Sequence, residues 1–387
     1  MTAGGFEFAT ANRIVFGDGC AKTVPGLALS YGRRVLVVAG RDPGRAEWLV
    51  EALQAQGADV VLLCVQGEPD LAFVAGGAGL ARRRTTDVVV GIGGGSALDA
   101  AKAIAALATN PGEPIEYLEV VGGSQALTAA PLPLIAVPTT AGTGSEVTRN
   151  AVLTVPDRRV KASLRSPLML PRVAVVDPLL TYDVPPSVTA ATGVDALTQL
   201  IEPFMSARAN PMTDALCRDG MSRVARSLQR ACADGRHAAA RADMSLASLF
   251  GGIALANAGL GAVHGLAAPI GGMCHAPHGV ICAALLPHVM AANVRALRAS
   301  EPGGTALDRA AEVGRLLTGR ADAGADDGVA WIRETAAQLR IPRLSEVGVT
   351  SGDLPAIAAQ ARASSSMKGN PAALAPEDLI AILIAAG

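Results

Sequence analysis

The sequence predicts an N-terminal α/β domain with a Rossmann-like, doubly wound parallel sheet, followed by an all-helical C-terminal domain. Three observations indicate this fold class. The chain of 387 residues is long enough for two hydrophobic cores. Its first half alternates short apolar runs with helical segments, which is typical of an open parallel sheet. Its second half contains Ala-rich amphipathic segments and no strand-like runs.

The N-terminal elements follow from local patterns. The β-branched run at 34–40 is typical of a strand buried on both faces of a parallel sheet. Applied along the chain, such patterns predict a short strand and turn at 13–19, strands at 34–40, 60–65, 87–91, 134–137 and 173–177, and helices at 46–56 and 71–83. Prolines at 178, 185 and 186 indicate the boundary, so we expect domains of 1–182 and 183–387.

The C-terminal half is predicted to be helical because its apolar residues recur at helical spacing between Gly and Pro turns. The predicted helices are 221–233, 238–258, 287–299, 305–317, 327–339 and 376–386. Ala-rich faces allow close helix packing and leave little room for a large pocket. We therefore expect a small or polar substrate.

Composition excludes several classes of protein. The formal net charge is −1 with both signs interspersed, which argues against nucleic acid or an anionic membrane surface as partner. The six cysteines contain no Cys-x-x-Cys, as expected of reduced thiols in the cytoplasm. The N-terminus lacks the basic and apolar regions of a signal peptide.

A Gly-rich turn at 91–96 follows one predicted strand and precedes a helix. Backbone N–H groups around Gly94 and Gly95 are expected to bind a phosphate at the helix N-terminus. Ser96 and Asp99 have the spacing of a capping box, with Ser96 as the N-cap. Ser96 stands where the usual dinucleotide fingerprint needs Gly, so that motif is not met. A simple turn is the alternative.

A second loop, 138–148, follows the next strand and is rich in hydroxyl groups. Its Thr139, Thr140, Thr143 and Ser145 are suited to hydrogen bonding with phosphate and ribose oxygens. A polar loop with a helix cap is the alternative interpretation.

Histidines indicate a metal site. The chain has five, and three of them, His264, His275 and His278, fall within one short segment. Upstream, Asp195 and Gln199 lie four residues apart, on one face of a helix. One carboxylate with two imidazoles forms a recurring catalytic metal site for ions such as Zn²⁺ or Fe²⁺. Alternatively, each histidine is a satisfied core or loop residue.

In this order, the motifs resemble the iron-containing (group III) alcohol dehydrogenase family over nearly the whole chain. The matching positions are Phe16-Gly17, Gly93–Ser96 with Asp99 and Lys102, Pro138–Glu146, Lys161, Ser166-Pro167, Asp177-Pro178, Asp195–Thr198, Pro277–Gly279 and Leu286–His288. The resemblance implies the dehydroquinate synthase-like fold, an NAD(P)-binding α/β domain and a helical metal- and substrate-binding domain. It implies hydride transfer between nicotinamide C4 and an alcohol or aldehyde carbon.

The resemblance also implies the metal ligands. Members bind the metal through Asp, His four residues later, and two further His. Asp195, His264 and His278 match three of these positions, and Gln199 stands at the fourth, where its carbonyl oxygen is a weaker ligand. We expect these four residues to bind Fe or Zn, with His264 and His278 also catalytic.

Another family histidine, near the substrate and linked to proton transfer, is replaced by Ala268. His275 is outside the family pattern; we assign it as a candidate proton route, with a surface loop residue as the alternative. Lys161 matches a family position and is assigned to cofactor binding.

Cofactor choice is predicted from the end of the strand at 34–40. NAD-preferring members have Asp where this chain has Gly40, and Arg41 and Arg45 flank that neutral position. Because arginine accommodates the 2′-phosphate, NADP is preferred, while Asp42 keeps NAD possible. We assign Gly40 and Arg41 to cofactor binding.

The leading hypothesis is a metal-dependent NAD(P)-linked alcohol dehydrogenase or carbonyl reductase, cytoplasmic and homodimeric, acting on a small alcohol, aldehyde or keto compound. Two relatives of the fold supply alternatives: a metal-independent reductase of the maleylacetate reductase type, and a dehydroquinate synthase-like lyase using the same nucleotide site. A metal-poor binding protein is the third.

Overall fold

A computed structural model describes residues 5–274 and 276–387. The chain divides into two compact units. Among the described residues, the α/β unit comprises Thr10–Thr140 and Gly144–Tyr182, and the helical unit comprises 5–9, Ala141–Thr143, 183–274 and 276–387. The predicted fold class, a parallel sheet with helices followed by an all-helical part, is confirmed.

Parallel strands form the main sheet of the α/β unit. The strands are β1 (Arg13–Phe16), β2 (Arg34–Ala39), β3 (Asp59–Cys64), β4 (Val88–Gly93), β5 (Leu134–Pro138), β6 (Asn150–Val155), β7 (Val160–Arg165) and β8 (Val173–Val176). Within the described residues the main sheet has the order β1-β8-β5-β4-β2-β3, and its pairs are parallel. β6 and β7 form a separate antiparallel hairpin, which the sequence patterns did not predict.

Helices cover both faces of this sheet: α1 (Val24–Leu29), α2 (Gly44–Ala55), α3 (Leu71–Arg83) and α4 (Gly95–Thr109). Alternate residues of β2 enter different cores, because successive side chains of a strand point to opposite faces. Val35 and Val37 pack in the core that includes α1 and α2 residues. Leu36 and Val38 pack in the core that includes α3 and α4 residues.

The strand order reverses direction between β2 and β4. From β2 the chain adds β3 on one side and then returns to place β4 on the other. Ligands of open α/β sheets bind outside the carboxyl ends of the strands at such a switch point. The ends of β2 and β4 therefore mark the expected nucleotide site.

The helical unit has one core cluster, formed by apolar side chains from many of its helices. These helices are α5 (Pro186–Met205), α6 (Pro211–Ala233), α7 (Ala238–Ala258), α8 (Ala262–Cys274), α9 (His278–Ser300), α10 (Thr305–Thr318), α11 (Ala325–Gln338), α12 (Leu354–Ala363) and α13 (Pro376–Ala386). By length and composition, α9 alone among the single described helices is able to cross a membrane, but 72% of its most apolar window is buried in the protein.

Two predicted helix starts in this unit were wrong. The helix expected at 221–233 begins at Pro211. The helix expected at 287–299 begins at His278, and Pro287 lies inside it. Proline is favoured in the first turn of a helix, which suggested a start at Pro287. Within a helix it removes one backbone hydrogen bond, a cost that tertiary packing overrides here because most of α9 is buried.

Candidate functional site

Helix α5 carries a polar face inside the apolar core. Asp195, Gln199 and Glu202 follow one another at spacings of four and three residues, so they lie on one side of the helix. All three are buried, and Asp195 is 1% exposed. Buried polar groups are costly without partners, so the neighbours of this face decide what it binds.

The first neighbour is His264 of α8. Its Nδ1 lies 2.7 Å from Glu202 Oε2, and its Nε2 lies 3.5 Å from Asp195 Oδ1. In the neutral ring Nδ1–H donates to Glu202, because that carboxylate is the closer acceptor. The Nε2 lone pair then faces Asp195. A carboxylate that orients a histidine in this way is the usual outer partner of a metal-binding imidazole.

Helix α9 supplies two more groups, one turn apart. His278 Nε2 lies 3.9 Å from Asp195 Oδ1 and 3.5 Å from the Cys282 sulfur. The rings of His278 and His264 are 5.3 Å apart between centroids. One donor atom from each of Asp195, His264, His278 and Cys282 lies within 4.8 Å of every other. We call these four residues the metal centre.

The donor atoms of the metal centre fit a divalent cation. Asp195 Oδ1 is buried without a hydrogen-bond partner among the described residues, and so is Gln199 Oε1. An unsatisfied buried oxygen costs about 1–3 kcal/mol, more when it is charged. Carboxylate, imidazole and thiolate are together the ligands of borderline metals such as zinc and iron. A cation bound here would satisfy Asp195 Oδ1.

The pKa values of these residues also indicate that the centre suits a cation. Burial favours neutral His278, yet the negative charges of Cys282 and Asp195 outweigh it and raise its pKa to about 9. For His264 the opposing effect of burial is likewise outweighed, by Cys282 and Glu202, and the pKa lies well above its usual value. Burial acts to raise the pKa of Asp195, but the nearby charges of His278 and His264 lower it. The centre therefore attracts positive charge.

The sequence-predicted ligand Gln199 lies beside Asp195. Its Nε2 donates to Asp195 Oδ2 over 3.1 Å, so the end of the amide that contacts Asp195 is a donor and not a metal ligand. Ala268 is on α8, one turn beyond His264 and half-buried. His275, the candidate proton route, lies outside the described residues.

Sequence reasoning missed two residues of this arrangement, Glu202 and Cys282. Both had a signal in the sequence. Glu202 follows Asp195 by seven residues, and Cys282 follows His278 by four, which are the spacings of one helical face. The signal at Cys282 was overlooked because the helix was expected to begin at Pro287.

In the α/β unit, the carboxyl ends of β2, β4 and β5 bring the glycine and threonine loops together. Gly93 has φ +153°, a backbone region that L side chains rarely adopt. A Cβ on Gly93 would lie 2.7 Å from Ala97 Cβ and 3.3 Å from the backbone nitrogen of Gly40. Next along the chain, a Cβ on Gly94 would lie 3.4 Å from Thr140 Oγ1. These residues line the switch point.

The predicted capping box at Ser96 was wrong. α4 begins at Gly95 with Gly94 as its N-cap, and Gly94 has no side chain to cap the helix. The glycines allow the chain to turn earlier than a serine cap would require, so the helix starts two residues before the expected position. The first N–H groups of a helix lack intrahelical partners, and those of Gly95 and Ser96 are suited to an anion.

Asp99 instead belongs to a buried polar cluster. It accepts a hydrogen bond of 2.5 Å from Ser145 Oγ and lies 3.0 Å from Lys102 Nζ. Lys102 is 1% exposed and donates to Thr148 Oγ1 over 2.9 Å. Burial lowers the pKa of Lys102, against the opposing effects of Asp99 and Glu146. The cluster connects α4 to the loop after β5.

Three other predicted cofactor residues have different surroundings. Lys161 of β7 is paired with Glu68, with 2.5 Å between Nζ and Oε2, and its side chain is 7% exposed. Arg41 is exposed, directly after Gly40 at the end of β2. Thr143 is half-buried and belongs with the helical unit.

Glu146 gives a pH-dependent prediction. Burial raises its pKa from 4.5 to about 7, against the lowering effects of its own backbone N–H and of Lys102. Because the folded-state pKa is raised, the stability from this carboxyl is fully present below pH 4.5 and is lost as pH rises through about 7. In Glu146→Gln this loss is absent. We expect the free energy of unfolding of the variant, relative to that of wild type, to rise by up to ~3 kcal/mol between pH 4.5 and 8.

Urea unfolding of both proteins at several pH values measures this difference. The exposed Glu47→Gln on α2 controls for the removal of one carboxyl group. A difference between Glu146→Gln and wild type that stays constant from pH 4.5 to 8 would contradict the prediction.

The chain combines a doubly wound parallel sheet, with a Gly-rich turn after β4, and a helical unit that holds a candidate site for a divalent metal. These are the parts expected of a metal-dependent nicotinamide dehydrogenase. The model of the iron-containing alcohol dehydrogenase family matches residues 11–178, and that of the Fe-containing alcohol dehydrogenase family C-terminal region matches residues 189–387. The chain belongs to the iron-containing alcohol dehydrogenase family. It is an oxidoreductase that acts on CH–OH groups, as predicted.

Individual relatives and similar structures are also named as dehydrogenases, oxidoreductases or reductases. Alcohol dehydrogenase 4 of Saccharomyces cerevisiae (strain YJM789) is 38% identical over 333 residues, covering 86% of this chain and 84% of the relative. The solved structure of a 1,3-propanediol oxidoreductase has a TM-score of 0.91 and 33% identity, covering 99% of this chain and 100% of that one. A sulfoacetaldehyde reductase from Bifidobacterium kashiwanohense, in complex with NAD⁺, has a TM-score of 0.85 and 27% identity, with 98% of each chain covered.

Proposed function

We propose that this chain interconverts small alcohols and aldehydes with NADP(H), or less readily NAD(H), and that Asp195, His264 and His278 bind the required metal. The observation that carries the proposal is the buried, unpartnered Asp195 Oδ1, with imidazole nitrogens at 3.5 and 3.9 Å. A divalent metal supplies Lewis acidity, which polarises a carbonyl or lowers the pKa of an alcohol.

The residues around the centre position its donors. Glu202 fixes the tautomer of His264, so that Nε2 keeps its lone pair. The Gln199 amide donates to Asp195 Oδ2 and leaves Oδ1 available. His278, with a side chain 37% exposed, gives the centre an accessible side from which a substrate oxygen and a proton can approach.

Residues 1–182 are proposed to bind the nucleotide and residues 183–387 the metal and substrate. The N–H groups at the start of α4 are suited to a pyrophosphate, since they lack partners within the helix. Orienting the nicotinamide against the substrate makes hydride transfer effectively unimolecular. The residues proposed to contact the cofactor are Gly40, Arg41, Gly94, Gly95, Ser96, Asp99, Thr139, Thr140, Thr143, Ser145 and Lys161.

The proposed substrate is a short, polar alcohol and its aldehyde. The Ala-rich helices of the helical unit pack closely, and one similar structure is that of a 1,3-propanediol oxidoreductase. A cytoplasmic homodimer is proposed for the working enzyme, and the absence of any Cys-x-x-Cys supports the cytoplasmic setting.

An absorbance assay for nicotinamide reduction or oxidation tests the function. The purified chain is loaded separately with Zn²⁺ and Fe²⁺ and supplied with short alcohols, diols and the matching aldehydes. Activity that requires added metal supports the proposal. Equal activity after chelation favours a metal-independent reductase of the maleylacetate reductase type. No nicotinamide turnover, with phosphate released from a dehydroquinate precursor, favours the lyase.

Gly40→Asp is expected to reverse cofactor preference. A Cβ on Gly40 meets nothing within 4 Å, so the side chain fits. The new carboxylate accepts the ribose hydroxyl of NAD and repels the 2′-phosphate of NADP. We expect the ratio of kcat/KM for NADP to that for NAD to fall by at least about tenfold, which corresponds to ~1.4 kcal/mol. Gly40→Asn adds the same bulk without charge, and an equal fall in that variant would contradict the explanation.

A further inference from the structure

We propose that Cys282 supplies the fourth protein ligand of the metal centre, in place of an imidazole at position 199, and that this thiolate makes the centre select zinc over iron. The inference rests on the proposed metal dependence and adds the identity of the ligand set and of the ion. Neither the family match nor the relatives' names assign a ligand role to this cysteine.

The Cys282 sulfur lies among the donor atoms of the metal centre. Cys282 is fully buried, and its sulfur lies 3.5 Å from His278 Nε2. Its sulfur and one donor atom each of Asp195, His264 and His278 are mutually within 4.8 Å. The unpartnered Asp195 Oδ1 lies in the same group, so an independent feature of the site already points to a cation.

The neighbouring amide explains why a thiol is needed. Gln199 occupies the position on α5 one turn after Asp195, and it contacts Asp195 Oδ2 through its NH₂ group. An NH₂ group cannot ligate a cation, so Gln199 could offer only its unpartnered Oε1, a weaker ligand than imidazole. Cys282 approaches the same group of donor atoms from α9, one turn after His278, and completes a set of four.

The chemistry of sulfur selects the ion. A thiolate adds a soft ligand, which favours zinc, and zinc binds more tightly than ferrous iron at sites with nitrogen, oxygen and sulfur ligands. In their binding forms the four ligands carry two negative charges, one from Asp195 and one from Cys282, which match a divalent ion. Binding releases to solvent the protons that the ligand atoms carry, as their bonds to zinc form.

X-ray absorption of the zinc-loaded wild-type chain tests the ligand directly. A sulfur shell at about 2.3 Å, beside nitrogen and oxygen at about 2.0–2.1 Å, is the expected result. A shell of nitrogen and oxygen alone would overturn the inference while leaving the metal site intact. Absence of any bound zinc would overturn both this inference and the proposed metal dependence.

A matched pair of cysteine variants gives the second readout. Cys282→Ala is expected to weaken zinc affinity, measured by chelator competition, by at least about 100-fold, because loss of a ligand exceeds the roughly 10–100-fold cost of outer-sphere changes. Cys217→Ala removes another fully buried thiol of the same unit and is expected to leave zinc affinity unchanged. Equal zinc affinity in the two variants would count against the proposal.

Cobalt substitution tests the ligand in the wild-type chain, so its result does not depend on whether Cys282→Ala folds. The Co²⁺-loaded wild-type chain is expected to show a near-ultraviolet charge-transfer band from thiolate to metal, and Cys217→Ala is expected to keep it. Loading wild type with Co²⁺ without any such band would exclude a cysteine ligand, whatever the stability of Cys282→Ala.

Discussion

Asp195→Ala is expected to abolish metal retention and to lower kcat/KM by at least about 1000-fold, or ~4 kcal/mol of transition-state stabilisation. The carboxylate is the shared neighbour of both imidazoles, at 3.5 and 3.9 Å, and its Oδ1 has no other described partner. Without it the histidines lose the negative charge that keeps a cation between them. Metal content after dialysis and steady-state kinetics measure the two effects.

Asp195→Asn is the matched control for shape. It keeps the volume of the side chain and removes the charge, so we expect nearly the same loss of metal. Circular dichroism of both variants checks that α5 remains folded. Wild-type metal content in Asp195→Asn would refute the electrostatic explanation and leave a purely steric one.

Gly93→Ala is expected to damage both the stability of the α/β unit and nucleotide binding. The backbone at φ +153° disfavours any Cβ, and the added atom would lie 2.7 Å from Ala97 Cβ. Strain and overpacking together are expected to lower the free energy of unfolding by about 2–4 kcal/mol. Because Gly93 precedes the N-cap of α4, the N–H groups proposed to bind phosphate would shift, and we expect the Kd for nucleotide to rise at least about tenfold.

Gly40→Ala is the natural control, since its added Cβ meets nothing within 4 Å and its φ is ordinary for an L residue. We expect its free energy of unfolding to stay within about 0.5 kcal/mol of wild type. Denaturant unfolding and fluorescence titration with NADP measure both quantities. An equal loss of stability in the two variants would refute the specific constraint at Gly93.

Much of the α/β unit was predictable because its strands are short, continuous and β-branched. The run at 34–40 was expected to be a doubly buried strand, and Val35 to Ala39 are buried in β2. The hairpin of β6 and β7 was not predicted although buried residues alternate along both strands, because an apolar residue on the exposed face of β6 obscures that alternation in the sequence. Val152 is this exposed apolar residue.

The metal centre was only partly predictable. Asp195, His264 and His278 have residue types that bind metals, so their clustering and the family pattern identified them as candidates, and the structure brings them together. Cys282 is a type that is usually a buried core residue, and only its place one turn after His278 indicates more. His278 and Cys282 share a helical face because α9 begins at His278, ahead of Pro287. Glu202 has no chemical signature apart from its helical spacing.

The anchoring of α8 has a thermodynamic consequence. Glu202 Oε1 accepts from the backbone N–H of Val263 over 2.6 Å, while its Oε2 accepts from His264. One carboxylate thus secures the first turn of a helix and aligns a donor of the metal centre. A ligand that binds only the native centre raises the free energy of unfolding, by about 2.7 kcal/mol when its concentration is a hundred times its Kd. If the proposed ion binds only the native centre, its occupancy and the melting of this unit are coupled equilibria, and chelation would lower the melting temperature.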